Sequence, residues 1–501
     1  MIKDGLTLYL VCVFCVAVTG SYANAQERPA NIVFILADDL GYGELGCYGQ
    51  QKIRTPNIDR LASQGVRFTQ HYSGAPVCAP ARCVLMTGQH LGHAEIRGNQ
   101  QAKKLFPQFT EGQHPVSKEV VTLPMVLKQA GFVTGAFGKW GLGPVGSTGS
   151  PSAKGIDEFF GYNCQAVAHS YFPRHLWRND EMIIINERPI PGAQRQPDGV
   201  VTIEKWQGTN YAPTLMINEA EQFIGRHAHE RFFLYLPFVE PHVSLQPPLA
   251  SIEEYPSDWD TQPYRGGNGY LPHPRPRAAY AAMISDLDRY VGRVLQVLEK
   301  HDLTEKTLVI FTSDNGATHE GAGEPQFHIG GADPKFFQST SHLKGYKGSV
   351  YEGGIRVPMI AKLPGVIEAG STNETPCYFA DWFPTLCEAV AVGPPENLDG
   401  TSLWKTITSK TPLERTKPML WFYPEYGGQM AVRLADWKVV RRGLKTKHPG
   451  RWEVYHIVDD PSEAHDLAPT HPELIQQAID VLKQEVTPNP IFPMEVPTDL
   501  P

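Results

Sequence analysis

The chain has 501 residues, with 45 Lys and Arg against 53 Asp and Glu, a formal net charge of -8 and a pI near 6.1. Hydrophobic residues make up 41% and charged residues 20%, which is soluble globular composition and excludes a disordered chain or a membrane bundle. The acidic balance argues against nucleic acid as a partner, yet leaves room for a small anion held by a few cations in a cleft.

In chain order, residues 1–25 read as a secretory signal. Lys3 supplies the positive charge, Leu6 to Val18 an apolar run short for a bilayer span, and Ala23-Asn24-Ala25 a small-x-small cleavage site. Export to the periplasm or outside the cell is expected, with cleavage near Ala25 and no stable membrane anchor. The mature part keeps Cys47, Cys78, Cys83, Cys164, Cys377 and Cys387, so disulfides are permitted, and Cys377 with Cys387 is one plausible pair. Cys78 and Cys83 have no CxxC or His-x-His neighbour to make a zinc site.

Asn31 to Leu36 (NIVFIL) is a buried strand. Thr55-Pro56 opens a helix that Gly65 stops, and Val66 to Tyr72 is a further strand. A helix over Thr122 to Ala130 precedes a strand over Phe132 to Phe137. Arg231 to Phe238 is a third apolar run, Ala278 to Lys300 a long amphipathic helix, Thr307 to Thr312 a strand, and Val357 to Leu363 another. This alternation predicts an α/β fold with a mostly parallel sheet covered by helices on both faces. Pro394-Pro395 and Asp399-Gly400 mark a linker, which sets a catalytic domain at 26–395 and a C-terminal subdomain at 396–501. The subdomain is predicted as a small α+β unit. Its antiparallel strands lie near Met430–Leu434, Trp437–Arg442 and Trp452–Ile457, its helix over Pro472–Gln484, and an extended proline-rich stretch follows from Pro488.

Polar residues follow four of these strands: Asp38-Asp39, Gly138-Lys139-Trp140, Glu240-Pro241-His242 and Ser313-Asp314-Asn315-Gly316. A turn or capping role accounts for any one of them. Together they mark the carboxyl ends of the strands, where open α/β sheets bind ligands. Asp38, Asp39, Asp314 and Asn315 offer oxygen only, a set suited to calcium or magnesium and poor for zinc. In VCAPARCVLMTG (residues 77 to 88), Pro80 favours the first turn of a helix and places Cys78 at its start, where an anion is stabilised, with Arg82 on the same face. That arrangement fits attack on an anionic ester, yet sulfur is a poor calcium ligand.

Cys78-Ala79-Pro80-Ala81-Arg82 resembles the C-x-P-x-R signature of the formylglycine-dependent sulfatase family, type I sulfatases of the alkaline phosphatase superfamily. The likeness extends over almost all of the mature chain. Asn31 to Gly43 resembles the first strand with its metal carboxylates, and Thr55 to Ala62 the first helix. Gly138-Lys139-Trp140 resembles the sulfate-binding lysine turn, Ser313 to Gly316 the second metal pair, and Lys344 to Arg356 the second lysine motif. Trp437-Lys438 and Val454 to Leu467 resemble the C-terminal part. The resemblance implies an alkaline-phosphatase-like fold and conversion of Cys78 to formylglycine by a formylglycine-generating modifying enzyme. It implies Ca2+, with Mg2+ as the alternative, held by Asp38, Asp39, residue 78, Asp314 and Asn315. The reacting groups become residue 78, Arg82, Lys139 and Lys347, with His242 as acid for the leaving alcohol. One departure is Gly141, where many members carry histidine; His169 is the candidate stand-in.

His169, Arg174, His175 and Trp177 crowd one stretch, and Arg97, with His90 and His93, follows the nucleophile helix. These are the substrate-binding candidates, for a sulfated mono- or oligosaccharide attacked from its end in a pocket. For the aromatics, packing on the sheet is an equal reading. The competing functions are a phosphodiesterase or phosphonate hydrolase of the same superfamily, a non-catalytic protein that binds sulfated glycans, and a structural Cys78–Cys83 disulfide.

Overall fold

The structure is a computed structural model. It describes residues 28–497 and 499, except 189, 268 and 320–327. The signal segment and its cleavage site lie outside the described residues.

In chain order the described strands are β1 (Asn31–Ala37), β2 (Val66–Phe68), β3 (His71–Tyr72), β4 (Val133–Lys139), β5 (Glu158–Tyr162), β6 (His175–Arg178), β7 (Glu181–Ile184), β8 (Phe232–Pro237), β9 (Thr307–Ser313), β10 (Met359–Lys362), β11 (Ser371–Asn373), β12 (Cys377–Tyr378), β13 (Met419–Tyr423), β14 (Gln429–Leu434), β15 (Trp437–Arg442) and β16 (Trp452–His456). Ten form one sheet, in the order β11-β2-β10-β9-β1-β8-β4-β5-β6-β7. The central run from β9 to β5 is parallel, whereas β10, β6 and β7 pair antiparallel with their neighbours. The sheet is mostly parallel, as expected, with a further parallel pair, β11 and β2, at one edge. The predicted strand Val66–Tyr72 divides: β2 joins the large sheet, and β3 pairs with β12 instead.

Strand β1 shows why both faces must be covered. Ile32, Phe34 and Leu36 enter one apolar cluster, and Val33, Ile35 and Ala37 enter the other. Side chains alternate across a pleated strand, so a continuous apolar run is stable only between two layers. The long helix Pro276–Lys300 packs in the second cluster, and the helices Cys78–Thr87 and Phe379–Ala389 in the first. The C-terminal sheet β13-β14-β15-β16 is antiparallel, with the helix Pro472–Glu485 beside it. The predicted subdomain thus gains β13. Its Trp421, Ile475 and Leu482 belong to the first cluster too, so the apolar core continues across the linker.

All six cysteines of the described residues are free thiols, and neither foreseen pairing is present. Cys387 lies eight residues into its helix, about 12 Å along the axis from the start that follows Cys377. Cys78 and Cys83 are five residues apart on one helix, on different faces. Disulfide bonding requires Cα atoms within about 7 Å of each other.

Candidate functional site

The four polar strand ends converge. Asp38 and Asp39 leave β1, Lys139 ends β4, Ser313 ends β9 before Asp314 and Asn315, and His242 follows β8. Register fixes their approach: Asp314 N–H donates to the Ala37 carbonyl at 3.0 Å, and Asp38 N–H to the Glu240 carbonyl at 3.0 Å. Asp39 has φ 67°, a left-handed conformation costly for most side chains but tolerated by Asp. That turn lets Asp39 N–H donate to Asp314 Oδ1 at 3.2 Å and Leu40 N–H to Ser313 Oγ at 2.9 Å.

Cys78 is the first residue of its helix, preceded by extended Val77, and is 2% exposed. Its Sγ lies 3.3 Å from Asp38 Oδ1 and 3.6 Å from the Nζ atoms of both Lys139 and Lys347. Lys139 pairs with Asp38, and Lys347 Nζ is 2.8 Å from both carboxylate oxygens of Asp39. Arg82 grips Asp314 Oδ2 through Nε at 3.1 Å and Nη2 at 2.8 Å, with Asp38 Oδ2 at 3.7 Å. His242 Nδ1–H donates to the Val243 carbonyl, which leaves Nε2 to face Asp39 Oδ2 at 3.6 Å. Asn315 Nδ2–H donates to Asp39 Oδ1 at 2.8 Å, and Thr318 Oγ1–H to Asp39 Oδ2 at 3.1 Å.

The electrostatics follow from burial and crowding. Burial and the nearby Asp38 charge push the Cys78 thiol well above its ordinary value, against the pull of both lysines. Burial also works against Asp38, but Lys139, His242, Arg82 and Lys347 outweigh it and hold its carboxyl below the usual range. Asp314 moves the other way: burial and the Asp38 charge raise it to about 7 despite Arg82. The three carboxylates share too few cations for all to stay ionised comfortably. Burial, then Lys347, brings His242 down to about 4.

The donor set fits a hard divalent cation. Asp38, Asp39, Asp314 and Asn315 present oxygen, and Asn315 Oδ1 is buried with no hydrogen-bond partner. A buried amide oxygen without a donor is costly, and an oxygen-seeking ion is a natural partner for it.

Of the substrate-binding candidates, only His169 stands against this cluster. Its ring stacks on His242 with centroids 4.9 Å apart and tilts on Tyr270 at 5.3 Å. His175 and Trp177 both bond the Glu111 carboxylate on β6, two strands from β4 and so about 10 Å across the sheet from the Lys139 strand. Arg174 is exposed beside them. Arg97 is a correction. Its guanidinium is buried and bonds the carbonyls of Ala94, Gly92 and Thr487, a backbone-holding role that leaves nothing for a ligand. His90 and His93 go with it: they stack on each other beside Asp399 instead of lining a mouth.

The sequence reading missed Thr318, Tyr270, His319 and Tyr426. Thr318 had a signal, being a polar residue just past the Asp314-Asn315 strand end. His319, the next residue, shared that signal, whereas Tyr270 and Tyr426 come from loops distant in sequence and had none. The space beside Gly141 is also explained. A Cβ there would lie 2.9 Å from Gln165 Nε2 and 3.5 Å from Arg82 Cδ, and Gln165 Nε2–H donates to the Trp140 carbonyl at 2.7 Å. Gln165 fills the volume that a longer side chain at 141 would need.

Residues 30–392 match the Sulfatase family model, and residues 345–488 match the model for the N-sulphoglucosamine sulphohydrolase C-terminal region. The chain belongs to the sulfatase family, of the alkaline phosphatase superfamily, and is a sulfuric ester hydrolase with that fold. Among its relatives, the N-acetylgalactosamine-6-O-sulfatase of Bacteroides thetaiotaomicron is 28% identical over 530 residues, covering 92% of this chain and 94% of that protein. The human N-acetylgalactosamine-6-sulfatase is 30% identical over 405 residues, covering 79% and 69%. The solved structure of Ps i-CgsB in complex with k-i-k-neocarrahexaose superposes with TM-score 0.72 at 25% identity, covering 91% of this chain and 92% of that one.

Proposed function

We propose that this chain removes sulfate from a sulfated carbohydrate, acting from the chain end, through formylglycine at position 78 and Ca2+. The observation that carries the reading is the placement of Cys78 Sγ 3.3 Å from Asp38 and 3.6 Å from two lysines at a helix start. The raised thiol supports it. Burial and Asp38 disfavour a thiolate at residue 78, which accords with an oxygen nucleophile there in place of sulfur. Formylglycine, once hydrated, supplies one hydroxyl to attack sulfur and a second whose deprotonation restores the carbonyl and frees sulfate. Asp38, Asp39, Asp314, Asn315 and residue 78 would hold Ca2+, which supplies Lewis-acid polarisation of a sulfuryl oxygen. Arg82, Lys139 and Lys347 offset charge on the remaining oxygens as the S–O bond breaks. His242 would pass a proton to the leaving alcohol from Nε2 as the imidazolium, since Nδ1–H is committed to the Val243 carbonyl; burial and Lys347 disfavour that form in the free site, and the negative charge of a bound sulfate ester would favour it. Sulfated sugars as substrates accord with the names of the relatives. Export with loss of residues 1–25 accords with an extracellular polysaccharide. No helix among the described residues is long and apolar enough to cross a membrane.

The test joins mass spectrometry to turnover. The peptide containing residue 78 should weigh about 18 Da less than its cysteine form. The modified protein should release sulfate from defined sulfated monosaccharides, and Cys78→Ala should not. Cysteine alone at position 78 together with full activity would refute the formylglycine step.

A further inference from the structure

Lys347 borders a second space. An open cavity of about 400 Å³ is lined by Lys344, Lys347 and Arg442, and among the described residues it has no carboxylate in its lining. Its aromatic walls include His319, Tyr351 and Tyr426. Tyr426 sits in the turn between β13 and β14 at φ 49°, a left-handed conformation that Gly or Asn would adopt at lower cost. Its ring is 55% exposed and stacks on His319, with centroids 5.3 Å apart and planes 9° apart. Lys347, which lines the same cavity, has its Nζ 3.6 Å from Cys78 Sγ, so the cavity adjoins the reacting centre.

The cations differ in how far they are committed. Lys344 Nζ and the Arg442 guanidinium lie over the Tyr351 ring at 4.1 Å and 4.2 Å. Lys344 also donates to Tyr455 Oη and to the Glu463 carbonyl, each at 3.1 Å, and approaches Glu453 Oε2 at 3.9 Å. Arg442 is exposed, and among the described residues no carboxylate lies within ion-pair distance of it. Its pairing with Gln429 across β14 and β15 holds it next to the Tyr426 turn.

We propose that this cavity binds a second anionic group, sulfate or carboxylate, on the sugar residue next to the one that carries the scissile ester. Arg442 pairs with that anion, and Tyr426 stacks on the ring between. The substrate is then a polyanionic oligosaccharide rather than a singly sulfated sugar. The inference rests on the sulfatase reading of the Cys78 site. A planar guanidinium suits both oxyanions, and an exposed flat phenol ring suits the apolar face of a pyranose.

The experiment compares four substrates. They are a monosulfated monosaccharide, the disaccharide with a neutral second residue, and that disaccharide with a sulfate or a carboxylate on the second residue, assayed separately. The anionic disaccharides should exceed the neutral one by about tenfold in kcat/KM, mostly through KM, with the advantage shrinking as salt rises. Arg442→Gln should erase most of that advantage, and Tyr426→Ala should lower both disaccharides relative to the monosaccharide. The sulfate and carboxylate arms tell which anion is preferred. Calorimetric binding of the same disaccharides to the Cys78→Ala protein reads the inference without turnover, so it remains decided even if no substrate is cleaved. Equal affinity for neutral and anionic disaccharides, or a preference that Arg442→Gln leaves intact, overturns it. Absence of turnover on every substrate, with the binding preference present, sinks the sulfatase reading alone.

Discussion

Asp39 carries two burdens that substitution can separate. Its left-handed backbone is tolerable for Asp and Asn but strained for a β-branched residue, while its carboxylate receives Lys347, Asn315 and Thr318. Asp39→Asn should therefore lower Ca2+ affinity, read by calorimetric titration, and lower the melting temperature as buried Lys347 loses its charged partner. Asp39→Val should lower the melting temperature further, and equal melting temperatures for the two variants would contradict the backbone argument. Lys139 and Lys347 are the other residue-scale test. Each is buried within 3.6 Å of Cys78 Sγ, and replacing either with Ala should reduce kcat/KM by on the order of a hundredfold. A loss below tenfold in either variant, measured as sulfate release, would remove that lysine from the charge-offsetting set. Individual site residues were legible wherever a motif ended a strand. Arg97 was not, because a polar, basic stretch reads the same whether it faces a ligand or a neighbouring backbone.

The segment Gln89–Asn99 behaves as one element, and its task is to hold the C-terminal tail. Arg97 Nη1–H and Nη2–H donate to Thr487 O and Oγ1 at 3.0 and 3.1 Å, Thr487 N–H donates to the Gly92 carbonyl at 3.0 Å, and Asn489 Nδ2–H to the Glu95 carbonyl at 2.9 Å. Removing the guanidinium strands several buried carbonyls at once. Arg97→Ala should cost about 2 kcal/mol or more in denaturant unfolding, with the loss falling on stability rather than on KM. A raised KM with unchanged stability would restore Arg97 to the substrate site. Among the elements of the sheet, the central strands were readable from their apolar runs. The edge strands β6, β7 and β11 escaped because their pairing, not their own pattern, makes them strands, whereas β13 of the C-terminal sheet, the buried run MLWFY, carried the pattern and was overlooked.

At the scale of the whole molecule, a partly buried polar cluster around Asp399 ties the loop after the Cys78 helix to the linker and to the C-terminal helix. His93 Nδ1 lies 2.9 Å from Asp399 Oδ2, Lys417 Nζ 3.1 Å from Asp399 Oδ1, and His90 Nε2 3.6 Å from Glu485 Oε2. Burial alone would raise the Asp399 carboxyl, but the hydrogen bond from His93 and the charges of His90 and His93 bring it down to about 2 from an ordinary 3.8. A carboxyl lowered on folding stabilises the protein above its unfolded value and loses that contribution as pH falls toward the folded one. His90, held at about 4 mainly by burial, acts in the same direction, because the unfolded chain takes up its proton first. Stability should decline as pH falls below about 6.5 and decline further between about 4 and 2, with Asp399 worth about 2 kcal/mol at neutral pH. Urea unfolding across that range should show wild type and Asp399→Asn converging at low pH; a constant gap would deny Asp399 its part.

What the sequence determined by itself was the chemistry of separate motifs: a cysteine signature at a helix start, Asp38-Asp39, Lys139 and Asp314-Asn315 beside short apolar runs that fix them at strand ends, and a second lysine motif in a loop. Such local signals survive because strand length, turn position and residue type are set by neighbours along the chain. What the tertiary structure decided was the setting: which loops reach the site, that Gln165 fills the room beside Gly141, that the basic loop after the nucleophile helix faces a tail rather than a ligand, and that Tyr426 and Arg442 arrive from the C-terminal sheet. Those facts depend on contacts between residues hundreds of positions apart, and no local pattern encodes which of many polar side chains will meet.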